Sequence, residues 1–278
     1  MIESETDLIE IEKIAENLLV GSKAYDIFPT PVEDVLSYAE LVVDQHLDLS
    51  RPLTRLKSVY GKHLRPAFKK VLGILDRSAN TILLDQSMNE NRKRFVQLHE
   101  VGHKVLPWQA EIMEFADDEY TIDPSIQVKF EGEASYLASC VLFQKERFSS
   151  EIRKFDLSIK TPMDISKKYG ASIHATIRRY VLNNQEPCAL LVLHPFDDID
   201  PCLAIKDSFE SPSFRKKFGK TVWPEKCSVK YGFVFDAANN RRFTSGECVL
   251  INEAGERIGA LYQHFFNGHN HLVLFSPK

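Results

Sequence analysis

The sequence predicts an α+β protein: a mostly helical N-terminal domain with a small sheet over residues 1–185, then a smaller, mainly antiparallel α+β domain over 186–278. Three observations predict it. Up to about residue 185 the apolar residues recur mainly at helical spacing. One short pair of apolar runs, residues 71–75 and 81–84, flanks the turn-rich "DRSAN" and reads as a β-hairpin. Beyond "NNQEP" the texture becomes strand-like, in "CALLVLHP", "KYGFVFD", "ECVLINEAGERIGALYQHFF" and "HLVLFSPK".

In order, Leu8, Ile11, Ala15 and Leu18 put an amphipathic helix over residues 6–20. "PTPVEDVLSYAELVV" predicts a second, with Pro31 near its first turn and Val35, Tyr38, Ala39 and Val42 on one face. After the hairpin, residues 90–106 return to helical periodicity, and Pro107 stops that helix because a residue before proline is pushed out of the α region. A helix from about 127 to 146 and two shorter ones, around 162–169 and 172–183 on either side of Gly170, complete the first domain. In the second, "EAGE" and "NGHN" read as turns between neighbouring strands.

Bulk properties exclude several classes. Of the 278 residues, 44% are hydrophobic and 27% charged, an ordinary balance for a globular chain. A net charge of −4 provides no global field towards nucleic acid or an anionic membrane. The acidic, amphipathic opening does not read as a signal peptide, and no apolar run approaches the roughly 20 residues that span a bilayer. Cys140, Cys188, Cys202, Cys227 and Cys248 are odd in number and contain no Cys-x-x-Cys pair, so reduced thiols in a cytoplasmic protein are the reading, ahead of a zinc site built from the last four.

The chemistry concentrates in "RFVQLHEVGHKVL", residues 94–106. His99 and His103 lie one turn apart on one helix face and can offer two imidazole nitrogens to one ion. Glu100, about 100° round the helix from His99, can reach a water on that ion without ligating it. Such a His-Glu-x-x-His match arises by chance in a chain of this composition about two times in a hundred, so the surroundings decide. They favour a metal site. The segment is helical on independent grounds, with Phe95, Leu98 and Val105 as apolar contacts, and a second helix, "FEGEASYLA", supplies a carboxylate. Glu131 and Glu133 are about 200° apart on that helix, so only one can face the ion. Glu131 shares its face with Ala134, Ser135 and Ala138, small residues that let two helices approach, and Ser135 can hydrogen-bond a ligand histidine. Glu133 shares its face with Leu137 and Cys140 or Val141, which reads as packing below an exposed carboxylate. Glu131 is favoured.

"NRKRFVQLHEVGHKVL" followed by "EGEASYLASCVLF" resembles the ImmA/IrrE-type metallopeptidases, which carry an Arg-Phe-rich approach, a His-Glu-x-x-His element and a second helix of the form Glu-x-x-Ala-Asn-x-x-Ala. The resemblance covers roughly residues 8–183, including the helix-helix-hairpin order before the motif. It implies a zincin-like peptidase fold, Zn2+ held by His99, His103 and Glu131, and Glu100 as general base. It also implies a substrate: a partner helix-turn-helix repressor, cut at one site to relieve repression after DNA damage or in mobile elements. Ser135 stands where the family usually has asparagine; a hydroxyl is shorter and cannot both accept and donate as an amide does. No oxyanion donor is visible in the sequence.

Other features carry less. "DISKKYGASIHATIRRYVLNN" has a helix-turn-helix rhythm, and Arg153, Lys154, Lys160, Lys167, Lys168, Arg178 and Arg179 outnumber Asp156 and Asp164 between 152 and 180. A solvated face of the peptidase domain accounts for these charges better than DNA contact. His264, His269 and His271 read as turn polarity, not as a second metal site, and His174 as a surface or satisfied core residue. The C-terminal domain carries no legible motif and suits a sensor or a docking module. The leading expectation is a cytoplasmic zinc endopeptidase acting on a regulator; the alternative is a non-catalytic regulator that binds DNA or a partner through a zincin-like fold.

Overall fold

The computed structural model describes residues 5–44, 73–115, 123–194, 202–239 and 241–278. It divides into two compact units, Met1–Arg147 with Lys168–Ala171, and Phe148–Lys167 with Ser172–Lys278. The texture change near 186 marks where the large sheet begins. By packing, residues Phe148–Lys167 and Ser172 onward cluster with that sheet.

The first unit opens with α1 (Glu5–Gly21), which buries Ile11, Ala15 and Leu18. Helix α2 (Val32–Tyr38) is shorter than expected. Glu40 has φ 57°, and the chain then runs into strand β1 (Val42–Asp44). The β-branched pair Val42–Val43 favours this extended ending over another helical turn, and Tyr38 and Val42 are exposed instead of sharing a buried face. The hairpin is present: β2 (Gly73–Asp76) pairs antiparallel with β3 (Thr81–Leu84), and β1 adds parallel on the other side of β3, giving the order β1-β3-β2. Positions 71 and 72 of the expected hairpin lie outside the described residues.

Helix α3 (Glu90–Val105) starts at Asn89, whose side chain accepts from the Arg92 amide at 3.0 Å. Pro107 ends it and also opens α4 (Pro107–Phe115), a use of proline at a first helical position that the stop reading did not include. Asp123 caps α5 (Pro124–Phe143), which ends at Gln144 with φ 47°. Gln144 then donates to the Ala24 and Ile27 carbonyls and accepts from the Asp26 amide, tying down the loop after α1. Helices α3 and α5 pack against each other, and Leu98 and Val101 of the first and Leu137 and Val141 of the second are wholly buried. At about 1.5–3 kcal/mol for each such side chain, apolar burial supplies the stability of this crossing, leaving its polar residues for chemistry.

The second unit takes the end of α6 (Lys145–Ile152), most of α7 (Lys160–Tyr169), and α8 (Ile173–Leu182). Its sheet is antiparallel throughout, in the order β6-β5-β4-β9-β8-β7. The strands are β4 (Ala189–Leu193), β5 (Leu203–Glu210), β6 (Lys226–Cys227), β7 (Phe243–Ile251), β8 (Arg257–Phe266) and β9 (His271–Pro277). The central pair β4 and β9 is buried on both faces, which is why they read as unbroken apolar runs. Helices α9 (Pro212–Phe218) and α10 (Gly232–Ala238) contribute Phe214, Phe233, Val234 and Ala237 to a core on one face of this sheet.

One expectation is corrected by the second unit. "KYGFVFD" forms α10, not a strand: Phe233, Val234 and Ala237 are buried and Phe235 is 54% exposed, a helical burial pattern that alternation would not produce. Strand β5 carries exposed Lys206 and Asp207 in its middle, so its composition hides it. All five cysteines are free thiols.

Candidate metal centre

Helix α3 presents its two histidines towards α5. His99 Nε2 lies 3.1 Å from His103 Nε2 and 3.1 Å from Glu131 Oε2, and His103 Nε2 lies 3.3 Å from Glu131 Oε1. Donors at about 2.0–2.1 Å from a tetrahedral ion stand about 3.3–3.4 Å apart, so this triangle has nearly the size that one ion requires. Two imidazoles and one carboxylate also form a hydrolase-type ligand set. Among the described residues it is the only group of three or more His, Cys, Asp or Glu that could share an ion.

Geometry separates the two carboxylates. Glu131 joins the histidines while its side chain stays 66% exposed, so the triangle opens to solvent on its side. Glu133 is wholly buried, the reverse of the exposed carboxylate expected there; its Oε2 accepts from Trp108 Nε1 at 2.7 Å and Gln109 Nε2 at 2.8 Å. Lys129 lies 3.7 Å from its other oxygen and pairs with Asp7 at 3.1 Å.

The close helix crossing has a specific cause. A Cβ built on Gly102 would lie 2.9 Å from Ala134 Cα and 3.1 Å from Ala134 Cβ, so α3 and α5 touch backbone to backbone where the ligands sit. Ser135, one residue on, places Oγ 3.2 Å from His99 Nδ1, as its position on the Glu131 face predicts. His103 Nδ1 contacts Gln109 Oε1 at 2.8 Å. The hairpin holds the end of α3: Arg77 donates to the His103 carbonyl and Lys104 to Asn80 Oδ1, each at 2.7 Å.

Electrostatics follow from these contacts. Hydrogen bonds to His103 and then His99 hold the Glu131 carboxyl far below the usual carboxylate range, against a smaller opposing effect of burial. Burial pulls the His103 pKa down, but the hydrogen bond to Glu131 and the charges of Glu100 and Glu131 outweigh it, leaving the imidazole more basic than usual. Glu100 is 6% exposed. A Cβ on Gly73 would sit 3.2 Å from Glu100 Oε1, so strand β2 runs directly over the proposed base.

Elsewhere the basic run is partly used inside its own units: Arg178 lies over the Phe209 ring, Lys168 over Phe28, Lys154 pairs with Glu151, and Arg179 is buried. His264 and His271 are not turn residues. They are buried and bonded to each other at 2.9 Å, whereas His269 is exposed in the turn. His174 is not satisfied: its buried Nε2 has no hydrogen-bond partner among the described residues. Sequence reasoning missed Gln109 and Trp108, although Pro107 at a helix start marks the turn that carries them.

Two histidines on one helix, a carboxylate on the next and a buried glutamate beside the first histidine form a group that could hold a metal ion in the manner of a metallopeptidase. Residues 57–180 match the model of a peptidase family described as the IrrE N-terminal-like domain. No curated protein matches the chain. Among solved structures it is similar to a Mycobacterium tuberculosis transcriptional regulator, at 13% identity and a TM-score of 0.56, covering 97% of this chain and 76% of the other. That likeness is one of fold. No helix among the described residues is long and apolar enough to cross a membrane.

Proposed function

We propose that this chain is a zinc-dependent, site-specific endopeptidase of the cytoplasm that hydrolyses one peptide bond in a partner helix-turn-helix repressor and so relieves repression. The observation that carries the reading is the convergence of His99, His103 and Glu131, whose ligand atoms lie within 4.8 Å of one another inside the peptidase-family segment. These three residues would hold the ion. Bound there, zinc supplies the Lewis acidity that polarises a scissile carbonyl and lowers the pKa of an attacking water towards about 7.

The chain's own groups do the rest. Glu100 takes the water's proton and later delivers it to the leaving amine, and its buried position beneath β2 keeps the carboxylate aimed instead of solvated. Ser135 and Gln109 orient the two imidazoles from behind. Exposure of Glu131 leaves a face through which a protein segment can approach. Residues 186–278 serve as a sensor or docking domain that decides when and on what the peptidase domain, residues 1–185, acts.

The test is zinc analysis of the purified chain together with cleavage of a co-expressed repressor, using Glu100→Gln as control. The expected result is zinc in both forms and cleavage by the wild type alone. Cleavage by Glu100→Gln would overturn the mechanism. Zinc without cleavage, alongside tight and salt-sensitive DNA binding, would replace it with the non-catalytic regulator.

A further inference from the structure

We propose that Gln109 is a positioning residue that sets the tautomer of His103, and that the buried carboxylate of Glu133 sets Gln109 in turn. This inference rests on reading His99, His103 and Glu131 as a metal centre.

Gln109 is wholly buried, where an unpartnered amide is costly, and its side chain is fully engaged. Nε2 donates to the Phe130 carbonyl at 3.1 Å and to Glu133 Oε2 at 2.8 Å, while Oε1 meets His103 Nδ1 at 2.8 Å. The amide cannot be turned over. Rotated by half a turn, its oxygen would face a carbonyl that can only accept, and a carboxylate oxygen that already accepts from the Trp108 indole, a group that can only donate. Oε1 is therefore the atom on His103, and Nδ1 must carry the hydrogen. A neutral imidazole has one N–H, so His103 Nε2 is left with its lone pair. That is the nitrogen 3.1 Å from His99 Nε2 and 3.3 Å from Glu131 Oε1.

The other histidine is treated differently. His99 Nδ1 meets the hydroxyl of Ser135 at 3.2 Å, and a hydroxyl can donate or accept. One imidazole is thus committed before any ion arrives, and the second adapts. The proximity of α4 to α3 matters for this reason: Pro107 starts a new helix at once, which returns Gln109 beneath the histidine six residues before it.

The test uses the full chain. Imidazole 15N spectra of the metal-free protein at alkaline pH are expected to show His103 protonated at Nδ1 in the wild type and in Ser135→Ala, and mixed tautomers in Gln109→Met. Zinc competition against a chelator is expected to show Gln109→Met weakened about 10- to 100-fold. Wild-type His103 protonated at Nε2 would overturn the proposal without need of any variant. So would wild-type zinc affinity in Gln109→Met when His99→Ala abolishes binding, an outcome that leaves the metal centre intact. If His99→Ala retains full zinc affinity, the metal centre falls and this inference with it.

Discussion

Replacing Gly102 by alanine tests whether the metal centre depends on the contact between two helix backbones. The added Cβ would sit 2.9 Å from Ala134 Cα, 3.1 Å from its Cβ and 3.2 Å from its carbonyl oxygen. Carbon atoms in ordinary contact stand about 3.5–4.0 Å apart, so α3 and α5 must separate by about 0.6–1 Å at the crossing. Backbone cannot swing aside as a side-chain end can. Overpacking of this kind costs about 1–3 kcal/mol, offset by about 0.8–1 kcal/mol of improved helix propensity, so the net change in stability is about 0–2 kcal/mol of loss. The metal site suffers more. His99 and His103 ride on one helix and Glu131 on the other, and the shift is a sizeable fraction of the 3.1–3.3 Å sides of their triangle. The expected result is zinc affinity at least about tenfold weaker, the scale of lost ligand support, with a small fall in urea midpoint. A variant that binds zinc like the wild type and is more stable would refute the argument that backbone contact sets ligand spacing.

Further expectations concern the base, the ligands and the second unit. Gly73→Ala would bring a Cβ within 2.4 Å of Val96 Cγ1 and 3.2 Å of Glu100 Oε1, so turnover should drop while zinc content holds; equal loss of both would show that β2 supports the ligands and not the base. Glu131→Gln should release zinc at chelator concentrations the wild type withstands, and unchanged retention would remove Glu131 from the ligand set. Burial holds His264 and His271 down to about 4, below the ordinary imidazole value of about 6.5. Between those values the unfolded chain binds more protons than the folded one, so stability is full above about pH 6.5 and falls as pH drops towards about 4. The loss has a ceiling of about 3 kcal/mol per imidazole, and the bonded pair titrates jointly. Urea midpoints at about pH 7 and about pH 5 should differ in the wild type and converge in a His264→Gln, His271→Gln double variant; a flat wild-type profile would contradict this.

Local features of this chain were legible because they depend on neighbours within one turn. Helical spacing alone puts His99 and His103 on one face and separates Glu131 from Glu133, and Gly170 at φ 59° and Gly255 at φ 79° occupy the turns their sequence context indicates. The small residues Ala134 and Ser135 announce a close helix contact before any partner is known. Composition misleads where a segment satisfies two patterns. "GFVFDAA" has strand-like residues but buries a helical stripe, and β-branched Val42–Val43 leaves the helix for a sheet in which β3 is its partner.

What the tertiary structure alone decided is which groups from distant positions face one another. Helix geometry states that Glu131 and Glu133 point apart; only the packing of α5 on α3 and α4 determines that the first reaches the histidines and the second is sealed under Trp108 and Gln109. The physical reason is that hydrogen bonding and burial act through space. A helix specifies directions about its own axis, but the direction that faces the metal triangle is selected by the apolar surfaces that pack together and by the buried polar groups that must find partners there.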